Sequence, residues 1–193
     1  MSILTEVVSA SAIETRVAEL GRQIAEDYQG KNPVLLGILN GAVPFLADLS
    51  RHLAPEIEID FLSLTRFGAQ GRVGIKVDSE TSIAGRHVLV VEDIVDTGLT
   101  LSYLLGLLGT RSPASLATVT LVDKTTRRIV EVDLQYRGFE VGDEFLLGYG
   151  LDWEGRYRNL RSLWAVLDLA AFQEDPTALT REVFADAADR LAL

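Results

Sequence analysis

The chain has 193 residues, of which 48% are hydrophobic and 24% charged, and it contains no cysteine. This composition excludes a generally disordered chain, and no apolar run reaches the roughly 20 residues that a membrane-spanning helix needs. The formal net charge of −10 disfavours a broad basic surface for nucleic acid. We therefore expect a cytoplasmic protein with one domain over residues 1–193, without disulfides or a cysteine zinc site, that binds neither membranes nor nucleic acid.

Helix and strand patterns alternate along the chain. In chain order, the predicted elements are helix 11–28, strand 33–39, helix 43–53, strand 56–64, strand 87–91, helix 101–108, strand 116–122, strand 144–149, strand 163–169 and a terminal helix over about 176–193. Ser11 and Glu14 have the spacing of a capping box, and the glycine-rich stretch 67–74 predicts a mobile loop. The alternation predicts an α/β fold in which a mainly parallel, twisted sheet is flanked by helices.

The most informative segment is His87-Val-Leu-Val-Val-Glu-Asp-Ile-Val-Asp-Thr-Gly-Leu-Thr-Leu101. It combines a buried strand, three acids, a turn and the start of a helix. Ligands of parallel sheets bind beyond the carboxyl ends of strands, where the next helix begins. At that point Thr97, Gly98 and Thr100 would present backbone N–H groups and hydroxyls, and the positive end of the helix dipole favours a phosphate.

Three acids next to a phosphate-binding turn need a separate explanation, because a carboxylate repels a phosphate. Glu92 and Asp93 suit hydrogen bonds from sugar hydroxyls, or a bridge through a hard cation such as Mg²⁺. Asp96 is placed deeper in the turn as a potential proton acceptor. Taken singly, Asp96 and Thr97 also fit a helix cap, and Glu92 and Asp93 fit solvated strand-end residues. Together, the three acids, two hydroxyls and a glycine favour a binding site.

This segment resembles the phosphoribosyl-diphosphate signature of type I phosphoribosyltransferases. Its residues from Glu92 to Leu101 resemble those of the hypoxanthine-guanine branch of that family. The resemblance continues over three further stretches: Leu36–Leu49, Leu121-Val-Asp-Lys-Thr125 with the following Arg127-Arg128, and Gly138–Asp152 with the following Arg156–Leu160. It implies a core of about 33–169, a small hood, a flexible loop and an extra C-terminal helix. It also implies Mg²⁺-dependent transfer of the 5-phosphoribosyl group from phosphoribosyl diphosphate to a 6-oxopurine, hypoxanthine or guanine, by a homo-oligomer (dimer or tetramer).

The resemblance further implies roles for individual residues. The phosphoribosyl group would be bound by Glu92, Asp93, Asp96, Thr97, Gly98, Leu99 and Thr100. Asp96 would also be catalytic, accepting or steering the proton of the purine imidazole ring. The diphosphate would be bound by Asn40, Gly41 and Arg158. The base would be bound by Lys124, Phe145, Leu146 and Asp152, and Mg²⁺ by Glu92, Asp93 and Asp152. An ammonium at Lys124 selects 6-oxopurines over adenine, because the amino group of adenine is itself a donor.

Two positions depart from the family pattern. Asn40 stands where a lysine or arginine often precedes the glycine, and Thr65-Arg66 stands where a Ser-Tyr pair opens the flexible loop. Our hypothesis is that Arg66 supplies charge to the diphosphate when the loop closes.

The sequence leaves other functions open besides a hypoxanthine-guanine phosphoribosyltransferase. One is a xanthine- or pyrimidine-specific phosphoribosyltransferase. Another is an RNA-binding pyrimidine regulator of the same fold, which the acidic net charge disfavours. A doubly wound domain that merely binds Mg²⁺ would leave Lys124 and Arg158 unexplained.

Overall fold

The computed structural model describes residues 3–54, 56–67 and 72–183, with the backbone alone at 66, 67 and 72. Within these residues, strands β1–β9 span Leu4–Val8, Val34–Leu39, Glu58–Phe67, Arg72–Val77, His87–Val95, Ser115–Asp123, Tyr136–Glu140, Phe145–Leu147 and Leu163–Val166. Helices α1–α4 span Ala10–Asp27, Val43–Ser50, Leu99–Gly109 and Leu169–Glu174, and a short 3-10 helix covers Thr125–Arg127. No helix in this part of the chain is long and apolar enough to cross a membrane.

The larger of two sheets has six strands in the order β4-β3-β2-β5-β6-β7. All its neighbouring strands are parallel except β3 and β4, which are antiparallel. Gly37 of β2 pairs with Val91 of β5, so that these two central strands end side by side. Because the carboxyl ends of parallel strands meet at one edge, the segments that follow β2 and β5 share one space. The predicted α/β fold with a mainly parallel sheet is confirmed.

Both faces of this sheet are covered. Leu89 and Val91 of β5 pack with α1 and α2 on one face, whereas Val88 and Val90 pack with α3 on the other. Successive side chains of a strand point to opposite faces, so a strand covered on both sides needs a continuous apolar run. This requirement explains the run of β-branched and leucine residues that precedes Glu92.

The smaller sheet is antiparallel, with the order β1-β9-β8, and forms the hood predicted from the family resemblance. Leu4 of β1 pairs with Val166 of β9, and Phe145 of β8 pairs with Val166 from the other side. Behind this sheet, Phe172 of α4 and Leu179 are fully buried. Residues 178–183 are helical, as predicted for the C-terminal extension, and 184–193 lie outside the described residues.

Several of the predicted boundaries are wrong. The predicted strand 163–169 ends at Val166, and Leu169 begins α4. The N-cap of α1 is Ser9, whose Oγ accepts a hydrogen bond from the N–H of Ala12 (3.3 Å), so Ser11 lies inside the helix and forms no capping box with Glu14. Strand β5 continues through the three residues after Glu92, because its backbone remains paired with β6. The stretch 72–74, predicted to be loop, belongs to β4, and 68–71 of the same predicted loop lie outside the described residues.

Candidate active site

A cleft of about 620 Å³ opens at the carboxyl edge of the six-stranded sheet, where β2 and β5 end. Most of the predicted site residues line it together: Asn40, Gly41, Glu92, Asp93, Asp96, Thr97, Gly98, Leu99, Thr100, Asp152 and Arg158. The predicted base-binding residues Lys124, Phe145 and Leu146 are not among its lining residues. The cleft therefore brings together the groups predicted for the sugar, the phosphate and the diphosphate.

The turn between β5 and α3 has the shape of a phosphate site. Gly98 adopts a positive φ of 82°, and a Cβ there would overlap the carbonyl oxygen of Val130, so the position requires glycine on two counts. Behind the turn, the carbonyl oxygen of Thr97 accepts hydrogen bonds from the N–H groups of Ile129 (2.9 Å) and Val130 (3.1 Å). The turn is thus fixed from behind, and the positive end of α3 faces the cleft.

Glu92 and Asp93 form a buried acidic pair at the end of β5. Glu92 is only 8% exposed, and its Oε2 accepts no hydrogen bond within the described part of the chain. Burial raises the pKa of Glu92 well above its usual value, and the neighbouring Asp93 raises it further. Burial also raises the pKa of Asp93 to about 6, although the N–H of Ile94 and the charge of Arg158 oppose this rise. Such a pair requires hydroxyl donors or a cation to compensate its charge.

Gly41 follows β2 directly and packs against the acidic pair. A Cβ at Gly41 would lie 2.5 Å from Asp93 Cγ and closer still to its Oδ2. A Cβ at Gly150 would likewise lie 3.0 Å from the carbonyl carbon of Gly41 and overlap its oxygen. The peptide bond between Leu39 and Asn40 is cis. The loop after β2, the end of β5 and the turn after β8 therefore contact one another through atoms that leave no room for a side chain.

The turn after β8 brings Asp152 and Arg158 together at the edge of the cleft. Arg158 donates from Nη1 to the carbonyl oxygen of Gly150 (2.6 Å) and pairs through Nη2 with Asp152 Oδ1 (2.6 Å). Asp152 Oδ2 also accepts a hydrogen bond from the N–H of Gly155 (2.7 Å). The structure thus brings the two predicted residues together as an ion pair at the cleft.

The residues predicted to bind the base form a wall next to the cleft. Lys124 is only 5% exposed, and its Nζ donates to the carbonyl oxygen of Glu144 (2.6 Å). Burial lowers the pKa of this ammonium, while the carboxylate of Asp96 raises it, which places the two groups within electrostatic reach. Phe145 is 36% exposed and packs edge-on against Trp153 with 5.5 Å between ring centroids. The side chain of Leu146 is buried, so only its backbone is available to a base.

The family resemblance includes Arg127 in the segment after Lys124 but gives it no individual role, and the structure places it in the lining of the cleft. Its Nε lies 2.9 Å from Asp96 Oδ1, and its Nη1 donates to Asp143 Oδ1 (3.0 Å). The basic run Lys124–Arg128 was the available signal, but only the 3-10 helix Thr125–Arg127 shows which of its side chains turns towards the acids. For Arg66, only the backbone in β3 is described, so its role in diphosphate binding stays a prediction.

The donor set for a metal consists of carboxylate oxygens. Across residues 3–54, 56–67 and 72–183, no three His, Cys, Asp or Glu side chains come together as a complete metal site. Glu92 does provide a buried oxygen that lacks a hydrogen-bond partner in the described chain, and hard cations such as Mg²⁺ prefer carboxylate oxygens. The residues present therefore fit a magnesium ion that takes most of its ligands from substrate and water.

The fold and the cleft define a transferase of phosphorylated sugars, and the phosphoribosyl transferase domain family matches residues 4–154. The chain belongs to this phosphoribosyltransferase family. It is 43% identical over 158 residues to the hypoxanthine-guanine phosphoribosyltransferase of Bacillus subtilis (strain 168). The match covers 80% of this chain and 88% of that protein. The predicted resemblance to the hypoxanthine-guanine branch is thereby confirmed.

Two further comparisons agree with this assignment. The bifunctional protein TilS/HprT of Listeria monocytogenes is also 43% identical over 158 residues, although the match spans only 24% of that longer protein. A crystal structure of a hypoxanthine-guanine phosphoribosyltransferase from Bacillus anthracis, with a HEPES molecule in its active site, superposes with a TM-score of 0.82 at 38% identity. That match covers 86% of this chain and 99% of the other.

Proposed function

We propose that the protein transfers the 5-phosphoribosyl group of phosphoribosyl diphosphate to hypoxanthine or guanine, yielding the purine nucleotide and diphosphate in purine salvage. One observation carries this proposal: a single cleft is lined by the loop after β2 with Gly41, by the acidic pair Glu92 and Asp93, and by the phosphate turn Thr97–Thr100. Gly41 contacts Asp93, and the charge of Arg158 acts on the carboxylate of Asp93. The donor substrate carries a diphosphate, ribose hydroxyls and a 5-phosphate, one group for each of these three parts of the cleft.

In this proposal the acidic pair binds the ribose. The carboxylates of Glu92 and Asp93 accept hydrogen bonds from the 2- and 3-hydroxyls, which would supply the partner that Glu92 Oε2 lacks within the described chain. Thr97, Gly98, Leu99 and Thr100 bind the 5-phosphate at the positive end of α3. Substrate binding would thus compensate the burial of the acidic pair.

The base would stack on the exposed ring of Phe145, with its edge towards the backbone of Leu146. Lys124 carries three donors and uses one on the carbonyl oxygen of Glu144, which leaves an N–H for the 6-oxo oxygen of a purine. Because that carbonyl fixes the ammonium, its remaining donors point in set directions. An exocyclic amino group would meet a second donor at this place, so adenine would be excluded.

During transfer, the bond between the anomeric carbon and the diphosphate oxygen breaks, and a bond forms from the anomeric carbon to a purine imidazole nitrogen. Asp96 accepts the proton that this nitrogen loses. Nearby carboxylates favour the positive charge that develops on the sugar, and the planar fork of Arg158 binds the diphosphate as its negative charge grows. For this step Arg158 must exchange its pairing with Asp152 for the leaving group.

Mg²⁺ is the proposed cofactor. Glu92, Asp93 and Asp152 are the residues that would hold it, directly or through the sugar hydroxyls and water. When bound, the ion neutralises the charge that builds on the diphosphate. We also propose one domain over residues 1–193, a cytoplasmic location and a homo-oligomer, dimer or tetramer, which size-exclusion chromatography with light scattering would determine.

The test is a panel of bases incubated with purified protein, Mg²⁺ and phosphoribosyl diphosphate: hypoxanthine, guanine, xanthine, adenine and uracil. We expect nucleotide formation, followed by ultraviolet absorbance, with hypoxanthine or guanine, and its loss on chelation of Mg²⁺. Turnover restricted to xanthine or uracil would replace the proposed base specificity. Absence of any nucleotide from folded protein would refute the proposed activity.

A further inference from the structure

We infer that Arg127 is a binding residue for the 5-phosphate and that this phosphate draws its guanidinium away from Asp96. The inference rests on the proposed function, because it takes a phosphorylated ribose as the ligand. It adds to the turn Thr97–Thr100 a cation to which neither the sequence patterns nor the family resemblance gave an individual role. It also connects binding of the sugar phosphate to the availability of Asp96.

The charges that line the cleft point to Arg127. Among the described lining residues, Arg127 and Arg158 carry the only positive charges. Arg158 is engaged at the diphosphate side, where it pairs with Asp152 and donates to Gly150. The phosphate turn itself contains no cation, and a doubly charged phosphate beside Asp96 would meet a further negative charge. Arg127 is therefore the guanidinium available to that end of the cleft.

Backbone hydrogen bonds attach the segment that carries Arg127 to the end of β5 and to the phosphate turn. The N–H of Lys124 donates to the carbonyl oxygen of Val95 (2.9 Å), and the N–H groups of Ile129 and Val130 donate to the carbonyl oxygen of Thr97. Arg127 lies between these attachment points, in the 3-10 helix Thr125–Arg127. Arg127 and the turn line the same cleft, so the side chain needs no loop closure to meet a phosphate bound there.

The present partners of Arg127 hold it weakly. Its Nε lies 2.9 Å from Asp96 Oδ1, yet no aligned hydrogen bond reaches that oxygen from the described residues. Its other partner, Asp143, is 74% exposed, and Arg127 itself is 44% exposed. Ion pairs in water contribute little, whereas a phosphate accepts two parallel N–H groups from one guanidinium. Exchange of Asp96 for phosphate is therefore favourable.

The exchange has a consequence for the order of events. While Arg127 pairs with Asp96, the carboxylate that must accept the proton of the base is occupied. A bound 5-phosphate removes this competitor and leaves Asp96 facing the position of the purine nitrogen. The base would then meet a competent acceptor only after the sugar phosphate has bound.

The inference is tested by calorimetric titration of the full chain with ribose 5-phosphate, with ribose as the ligand lacking the phosphate. We expect Arg127→Met to weaken ribose 5-phosphate binding about tenfold or more, as loss of one charge-assisted contact implies, and Arg127→Lys to recover part of it. The matched control is Arg156→Met, because Arg156 forms a similar exposed ion pair, with Glu154, outside the cleft. That control should bind ribose 5-phosphate as the wild type does.

Unchanged ribose 5-phosphate affinity in folded Arg127→Met protein would overturn the inference, and so would an equal loss in Arg156→Met. The proposed function is judged separately by the base panel. If ribose 5-phosphate binds in an Arg127-dependent manner while no base is converted, the inference stands and the proposed function fails. If bases are converted and Arg127→Met leaves the KM for phosphoribosyl diphosphate unchanged, the function stands and the inference fails.

Discussion

Substitution of Gly41 by alanine tests whether three loops share one close contact. The new Cβ would lie 2.5 Å from Asp93 Cγ and 3.3 Å from its Cβ, so the carboxylate must rotate or the loop after β2 must move. Rotation would also break the 2.8 Å hydrogen bond from the N–H of Ile94 to Asp93 Oδ1. Overpacking of this kind costs about 1–3 kcal/mol, and a displacement of about 1 Å near reacting groups costs about 100-fold in rate.

We therefore expect Gly41→Ala to lower kcat/KM for phosphoribosyl diphosphate about 100-fold and to lower the urea unfolding free energy by about 1–3 kcal/mol. Steady-state kinetics and urea denaturation would measure the two effects. Gly106→Ala is the matched control, because a Cβ there meets no atom within 4 Å and alanine favours the helix by up to ~1 kcal/mol. A Gly41→Ala protein with wild-type kinetics and stability would refute the proposed crowding.

Three further substitutions probe the base wall, the acidic pair and the hood. Lys124→Met removes a charged donor to the base, so it should reduce kcat/KM for hypoxanthine about 10- to 100-fold in steady-state assays. The KM for phosphoribosyl diphosphate should change little. Equal rises in KM for hypoxanthine and for phosphoribosyl diphosphate would contradict a role of Lys124 in base binding. Asp93 has a folded pKa of about 6 against 3.8, so it stabilises the folded state below pH 3.8, and this contribution is lost as pH rises through 6. In urea titrations, the unfolding free energy of the wild type should therefore fall by about 2–3 kcal/mol between pH 4 and 6.5 because of Asp93, and Asp93→Asn should not show this fall. The same pH dependence in the variant and the wild type would refute this assignment. Phe172→Leu should raise the KM for the base a few-fold, because the ring of Phe172 packs edge-on against Trp153, which in turn packs on Phe145. If the KM for the base is unchanged and only the stability falls, by about 1 kcal/mol, Phe172 contributes to core packing and not to base binding.

The phosphate turn could be predicted from sequence because all its parts are neighbours along the chain. Burial on both faces makes β5 a continuous apolar run, and the acids and glycine that follow complete the turn within a dozen residues. The requirement for glycine at Gly98 arises from its positive φ, which is a local property as well. Local sequence was therefore sufficient for the order of strand, turn and helix.

Contacts between distant segments could not be predicted in this way. The crowding of Gly41 by Asp93 and Gly150 depends on three loops that meet only in the folded sheet, and no local pattern encodes it. The pairing of Arg127 with Asp96 depends likewise on the parallel alignment of β5 with β6. At the start of α1, two serines compete for the cap, and spacing alone favoured the wrong one. The strands β1 and β7 were missed because exposed and charged residues interrupt them: only Leu4 and Val8 of β1 and only Tyr136 of β7 are buried, so neither shows an apolar run.

The pairing of β1 with β9 has a consequence for how the protein acquires its binding properties. Leu4 and Val166 lie near opposite ends of the described chain, so their pairing closes a very long loop and depends on synthesis of almost all of it. The strand β5, the turn and α3 are contiguous and meet β6 soon after they leave the ribosome. In a nascent or partly unfolded chain, the phosphate turn after β5 would thus form first. The hood, which carries Phe145 of the proposed base site, would form last.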